Sequence, residues 1–291
     1  MDYHKDKFTD HSLLVFKDEK LVAILPANKL NNTLHSHQGL TYGGLITHPS
    51  LKFKDVLDAF KTLLHFLDKQ GIETLYIKQL PSIYASAPNN QTDYLMFILK
   101  ATLSRRDVLS VIDNRFKPQT ISNNRKRGFK RAKEHGLIVK EDANFEAFWN
   151  TVLIPNLKKQ HNTKPVHSLA EIQLLHSVFP DKIRQFNVYK NEKIVAGTTV
   201  FETKNVAHAQ YISASEDKQE LGSLDILFQH LIHTVFADKL YFDFGISNQN
   251  QGLNINEGLL YWKESFGART ITQDFYEIET KNHHMLNSVF I

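Results

Sequence analysis

The chain has 291 residues, enough for two ordinary domains or one large one, and its 42% hydrophobic and 23% charged residues are those of a soluble globular protein. The absence of cysteine excludes disulfides, a thiol nucleophile and Cys-ligated zinc, and no apolar run approaches the length of a membrane span. The net charge of +4 is mild but concentrated: Arg115 to Lys133 contains Arg115, Lys117, Arg125, Lys126, Arg127, Lys130, Arg131 and Lys133 and no acidic residue.

The polar opening MDYHKDKFTD lacks an apolar signal core, so a cytoplasmic location is expected. Leu13 to Phe16 and Leu21 to Leu25 flank the charged run Lys17 to Lys20 and predict a hairpin. Leu40 to Ile46 reads as a strand ending in small residues. Phe53, Val56, Leu57, Phe60, Leu63, Leu64 and Leu67 then keep helical spacing, Gly71 stops the helix, and Thr74 to Ile77 reads as a strand.

The second half repeats this order. Phe186 to Tyr189 and Ile194 to Phe201 flank Lys190 to Lys193 as a second hairpin, and Ala207 to Ser215 reads as a strand. Leu224, Leu227, Phe228, Leu231, Ile232 and Val235 have helical spacing, and Leu240 to Phe242 is a strand. The offset of about 165 residues suits a tandem domain rather than a solenoid. Between the halves, 145–179 reads as helices interrupted by Pro155 and Pro165. Asn123 or Ser122 caps a basic helix that Gly136 ends; Arg125, Arg127 and Arg131 are its candidate phosphate ligands, because guanidinium forks match phosphate oxygens, and a solvated connector is the plainer reading.

Near the C-terminus, a strand end Asp243-Phe244-Gly245 leads to a polar loop containing Gly252 and then to Trp262-Lys263-Glu264-Ser265-Phe266-Gly267. With the basic segment Asn123 to Arg131, this block resembles the FemAB-like branch of the GNAT acyltransferases, whose DFG strand end and FK-x-x-FG turn it approximates with Trp in place of Phe. The resemblance implies an α+β (mixed α/β) fold of two GNAT-like domains, each a twisted, mostly antiparallel sheet flanked by helices. Residues 1–118 would form the acceptor-side domain and residues 119–291 the acyl-donor domain.

The resemblance also implies site residues. Lys263 would lie near the transferred group, Asp243 would orient or deprotonate a nucleophile, Tyr211 would protonate the leaving group, and Glu257 would pair with Lys263 or take the amine proton. Gln219, Gly222 and Ser223 partly match the loop that turns backbone N–H groups onto the pyrophosphate of CoA, although Leu224 stands where a second small residue belongs. Tyr42, Gly43, Gly44 and Tyr84 would line the acceptor cleft. Asp243 as a turn cap, Tyr211 as a packing residue and Ser223 as a helix cap are the plainer roles.

The function implied is N-acyl transfer from acyl-CoA (acetyl-CoA) to an amine of a cell-envelope or amino-sugar precursor, with a small-molecule amine or nucleotide-sugar as acceptor. The alternatives are an aminoacyl-tRNA-dependent peptidoglycan peptide ligase, with tRNA as partner, and a non-catalytic ligand-binding protein on a degenerate scaffold. Classical ligases of that type carry a helical arm, and no long heptad run exists here. The fifteen histidines, including His35/His37, His230/His233 and His283/His284, lack a completing carboxylate in sequence, so no metal is expected.

Overall fold

In the computed structural model, which describes residues 2–116 and 121–291, the first charged run is a tight turn joining β1 (Leu13–Lys17) to β2 (Lys20–Leu25). Asp18 and Glu19 both have positive φ, 48° and 63°, the backbone a two-residue hairpin of matching twist demands. After β3 (Asn28–Leu30), β4 (Thr33–His35) and β5 (Ile46–Thr47) comes helix α1 (Phe53–Lys69), whose N-terminus is held by Asp55 accepting from the Lys52 backbone N–H. Strand β6 (Thr74–Lys78), helix α2 (Gln91–Ile98) and strand β7 (Thr102–Asp113) follow.

Two compact units result. Unit 1 comprises Met1–Asp107, Asn248–Asn254 and Thr272–Ile291; unit 2 comprises Val108–Ser247 and Ile255–Ile271. The boundary expected between residues 118 and 119 lies outside the described residues, and the segments 248–254 and 272–291 group with unit 1.

In unit 1, β4 pairs parallel with β6, and α1 is the crossover between them. The strand that α1 links in parallel to β6 is therefore Thr33–His35; of the expected strand 40–46 only Ile46 is in a strand, β5, which pairs with β2, and Gly43 makes an isolated bridge to Gln79. The apolar stripe of α1 packs on Leu25, Leu34, Leu75 and Ile77, and each fully buried large side chain contributes roughly 2 kcal/mol. Gly71, at φ 70°, ends the helix as expected.

Unit 2 opens with residues 108–113 of β7, then α3 (Asn123–Glu134), capped by the Ser122 hydroxyl and closed by Gly136 at φ 66°. Strand β8 (Ile138–Glu141) and helix α4 (Phe145–Phe148) lead into a π-helical turn, Trp149–Leu153, and α5 (Ile154–His161). The expected break at Pro155 is absent: the wider turn just before it takes up the missing donor, and winding continues. Pro165 does fall between α5 and α6 (Leu169–Val178).

Strands β9 (Ile183–Lys190) and β10 (Lys193–Glu202) form the second hairpin, again with both turn residues at positive φ, Asn191 at 47° and Glu192 at 66°. Next come β11 (Val206–Ala214), the helical turn α7 (Lys218–Leu221), α8 (Ser223–His230) running into a π-helical turn Leu231–Val235, and β12 (Tyr241–Ile246). The order β8-β9-β10-β11-β12-β7 is antiparallel throughout except at β11 and β12, which α8 crosses over. One sheet face packs Phe228, Leu231, Phe242, Phe244 and Phe266; a second cluster holds Phe145, Phe148, Trp149 and Tyr211.

The short strands β13 (Asn248–Gln249) and β14 (Asn254–Ile255), helix α9 (Glu257–Glu264) and strand β15 (Arg269–Glu279) follow, and a 3-10 helix over Thr280–Ser288 comes after them. β15 pairs antiparallel with β6. The fold is mixed α/β with mostly antiparallel sheet, and each unit contains the same strand–helix–strand crossover with a parallel pair, the internal repeat that the sequence pattern predicts.

Candidate active site

The parallel pair in unit 2 is short. β11 and β12 are in register at Val206/Tyr241, Ala207/Phe242 and His208/Asp243, and there the pairing stops, although β11 runs on to Ala214. Two irregularities open the sheet at this point. β11 carries a bulge where Val200 faces Ala209 and Thr199 faces Tyr211, leaving Gln210 as the extra residue. β12 turns at Gly245, whose φ of 72° favours a residue without a Cβ.

Asp243 is fully buried at the parting point. One carboxylate oxygen accepts the Gly245 backbone N–H at 2.7 Å and the other meets His208 Nδ1 at 2.9 Å. The first bond is the turn-capping role; the second pairs the carboxylate with a histidine that the sequence reading passed over. Its sign in the sequence is a lone histidine between two alanines, Ala207-His208-Ala209, on the strand aligned with the Asp-Phe-Gly strand.

Lys263 is sunk into the same corner, only 2% exposed, and its Nζ donates to the carbonyls of Gly245 (3.0 Å) and Ile246 (2.6 Å). Burial pulls its pKa down from the ordinary lysine range to about 8, opposed by the charge of Asp243. Lys263 therefore staples α9 to the end of β12 and does not reach into open solvent. Glu257 does not pair with it: Glu257 is exposed in the first turn of α9, where the helix N-terminus favours negative charge. Tyr211 is buried against Trp149, and its hydroxyl accepts from the His167 N–H at 3.0 Å and lies 2.6 Å from His167 Nδ1.

The loop expected to cradle CoA is closed. Lys218–Leu221 winds as a helical turn, and the N–H groups of Leu221 and Gly222 are spent on the carbonyls of Asp217 and Lys218. Helix α3 lies over what remains. A Cβ on Gly222 would sit 2.1 Å from the carbonyl oxygen of Gly128, and one on Gly128 would sit 2.0 Å from Asp225 Oδ2. Ser223 is fully buried with no partner for its hydroxyl, and Gln219 is exposed with its carbonyl taken by Arg131 at 3.0 Å. Gly222 itself and the Leu221 and Gly222 N–H groups are thus taken up in packing against α3 and in the helical turn, which leaves only the N–H groups of Ser223 and Leu224 at the start of α8 for a pyrophosphate.

The same packing redirects the basic helix. Arg125 pairs with the buried Asp225 at 2.6 Å and lies over the Phe266 ring; burial raises the Asp225 pKa while Arg125 and Arg131 oppose the rise. Of the three expected phosphate ligands, only Arg127 is exposed, alongside Lys126, Lys130 and Lys133. Gly128, invisible as a contact from sequence, is what lets α3 approach so closely.

In unit 1 the structure brings Tyr42 and Tyr84 together, ring centroids 4.5 Å apart. Gly43 is used by the fold: its N–H donates to the Lys78 carbonyl at 2.7 Å, and a Cβ would meet the Ser36 carbonyl oxygen at 2.5 Å. Gly44 is buried at φ 105°. Lys78 donates to the carbonyls of Gln38 (2.9 Å) and Leu40 (2.8 Å). Among the described residues no three histidine or carboxylate side chains come together as a metal site.

Residues 117–257 match the family described as the acetyltransferase (GNAT) domain. No curated protein is similar enough in sequence to count as a match. Among solved structures, FemX aligns with a TM-score of 0.65 at 8% identity over 98% of this chain and 92% of its own. The C-terminal domain of a putative lysylphosphatidylglycerol synthetase from Agrobacterium fabrum aligns at 0.60, with 11% identity over 95% and 87%. L-PGS from Bacillus licheniformis aligns at 0.59, with 12% identity over 98% and 94%. The fold is thus GNAT-like of the FemAB kind, and the protein is an acyltransferase.

Proposed function

We propose that this acyltransferase takes an aminoacyl group from a charged tRNA and delivers it to an amine of a cell-envelope precursor, such as an amino sugar or its peptide. The packing of Gly222 against Gly128 of α3, with the Leu221 and Gly222 N–H groups bonded within the turn, carries this reading, since it withdraws part of the loop that would hold a CoA pyrophosphate while a tRNA ester does not need one. The likeness in fold to FemX and to a protein named for joining lysine to phosphatidylglycerol supports aminoacyl transfer. The exposed side chains of α3, Lys126, Arg127, Lys130 and Lys133, offer the phosphate-facing charge a tRNA requires.

The test is transfer of a radiolabelled amino acid from charged tRNA, against transfer of acetyl from acetyl-CoA, to a panel of amines including a muramyl peptide. Transfer from tRNA at least tenfold more efficient than from acetyl-CoA is expected. Replacing the four exposed basic residues by Gln should weaken tRNA binding and flatten its dependence on salt. Acetyl-CoA as the better donor, with the α3 replacements silent, overturns the reading.

A further inference from the structure

We propose that His208 is a catalytic base, with Asp243 as its positioning residue. The inference deepens the acyl-transfer reading and rests on it, but not on which donor is used. Five observations converge on the imidazole. His208 and Asp243 are the last register pair before the parallel strands separate, so the ring stands at the edge of the opening. Its Nδ1 is 2.9 Å from a carboxylate that is itself fully buried and fixed by the Gly245 N–H. A carboxylate only accepts, so Nδ1 carries the hydrogen and Nε2 keeps its lone pair. Nε2 has no hydrogen-bond partner among the described residues, and the side chain remains 16% exposed. Finally, a Cβ at position 245 would lie 3.3 Å from His208 Cε1, so the glycine turn keeps the edge of the ring clear.

The charged groups around the pair come from two elements. Asp243 on β12 faces Nδ1, and Lys263 on α9 sits beyond Asp243, tied to the carbonyls of Gly245 and Ile246. The cross-strand neighbour of His208 on β10 is Phe201, and that of Asp243 on β7 is Val111, both uncharged. Buried carboxylate, oriented imidazole and an open ring nitrogen form the arrangement by which an orienting group holds a general base.

The step balances without any other reactant. The acceptor nitrogen attacks the carbonyl carbon of the donor ester, forming the C–N bond. Nε2 takes the proton that the nitrogen sheds, and Asp243 stabilises the resulting imidazolium. The bond from the carbonyl carbon to the ribose oxygen of a tRNA ester, or to the sulfur of a thioester, then breaks, and the leaving atom receives the proton from Nε2. The products are an amide and a free hydroxyl or thiol, with the imidazole neutral again.

Single-turnover transfer is measured across pH 5.5–9 for the wild type, His208→Gln, His208→Ala and Asp243→Asn, using both charged tRNA and acetyl-CoA as donors and Nα-acetyl-lysine amide and muramyl peptide as amines, with tRNA affinity followed by filter binding. We expect His208→Gln to lose roughly 100-fold or more of the rate and the histidine limb of the pH profile while retaining donor affinity. His208→Ala should recover part of its rate in added imidazole, a response a purely structural role would not give. Asp243→Asn should lose a smaller factor and shift the limb. A folded His208→Gln protein within threefold of wild type, or with an unchanged pH limb, overturns the proposal. If acetyl-CoA proves the donor, the tRNA reading fails while the histidine comparison still decides this one. A wild type that transfers from neither donor overturns both.

Discussion

The two crossovers place a histidine at the same point, and only one of them is equipped for proton transfer. In unit 1 the last parallel pair is His35 with Tyr76; in unit 2 it is His208 with Asp243. His35 packs on the Tyr76 ring at 5.4 Å, and burial, aided by the charge of Lys78, lowers its pKa. Beyond that pair, unit 1 closes its strands with its own groups: the Ser36 N–H donates to the Tyr76 carbonyl, and the Ser36 hydroxyl accepts the Lys78 N–H. In unit 2 the parallel pairing of β11 and β12 ends at His208/Asp243, and among the described residues no backbone bond like that of Ser36 continues it. The same supersecondary unit is sealed where it serves as scaffold and left open, with a buried carboxylate beside it, where chemistry is proposed.

The sharpest way to break this comparison is to exchange the two histidines for glutamine separately. His208→Gln should cut turnover by a factor of hundreds, and His35→Gln should change it less than threefold; equal losses would erase the distinction. Next in size are the two helix-associated glycines with similar backbone. Gly222→Ala adds a methyl against the Gly128 backbone as well as strain at φ 68°, and should cost about 3 kcal/mol or more in a denaturant titration. Gly71→Ala, at φ 70° with nothing within 4 Å, should cost only about 1 kcal/mol.

The buried Lys263 and the half-buried Lys78 give a pH signature. Lys263 has a folded-state pKa of about 8 against an ordinary 10.5, so between these values the unfolded chain holds a proton that the folded chain has released. The cost of burying the charge is fully present below pH 8 and is relieved as pH rises toward 10.5, by up to about 3 kcal/mol. Lys263→Met should lack that rise when urea midpoints are followed from pH 7 to 10, whereas Lys78→Met should flatten the corresponding contribution of unit 1, where burial also lowers the lysine. Least in size are the ion pairs near the crossover helices. Arg125→Gln strands the buried Asp225 and should cost about 2 kcal/mol, while Lys17→Gln, which removes an exposed lysine and leaves the half-exposed Asp55 its Lys52 N–H, should leave the thermal midpoint unmoved.

Much of the scaffold was legible because it obeys local rules. Periodicity marked α1 and α8, charged turns marked both hairpins, and Ser122 with Gly136 bracketed α3. What escaped depends on partners distant in sequence. Strand Thr33–His35 is three residues long with Leu34 as its one apolar side chain, so only its pairing with β6 reveals it. Gln219, Gly222 and Ser223 matched a phosphate loop in spacing, yet Gly222 is glycine because Gly128 presses on it. Lys263 and Asp243 stood out through a resemblance, while His208 became visible only when register set it opposite Asp243. Tyr42 and Tyr84, far apart in sequence, meet as a tilted ring pair.

The first unit is unfinished until the last strand arrives. β6 takes its antiparallel neighbour from Arg269–Glu279, and the α1 core includes Ile278 and Leu286. During synthesis the first hundred residues therefore leave the ribosome with an open sheet edge and an uncovered apolar surface, and they wait while the whole of 108–247 is made. Premature termination after unit 2 would therefore harm the N-terminal half more than the half just completed.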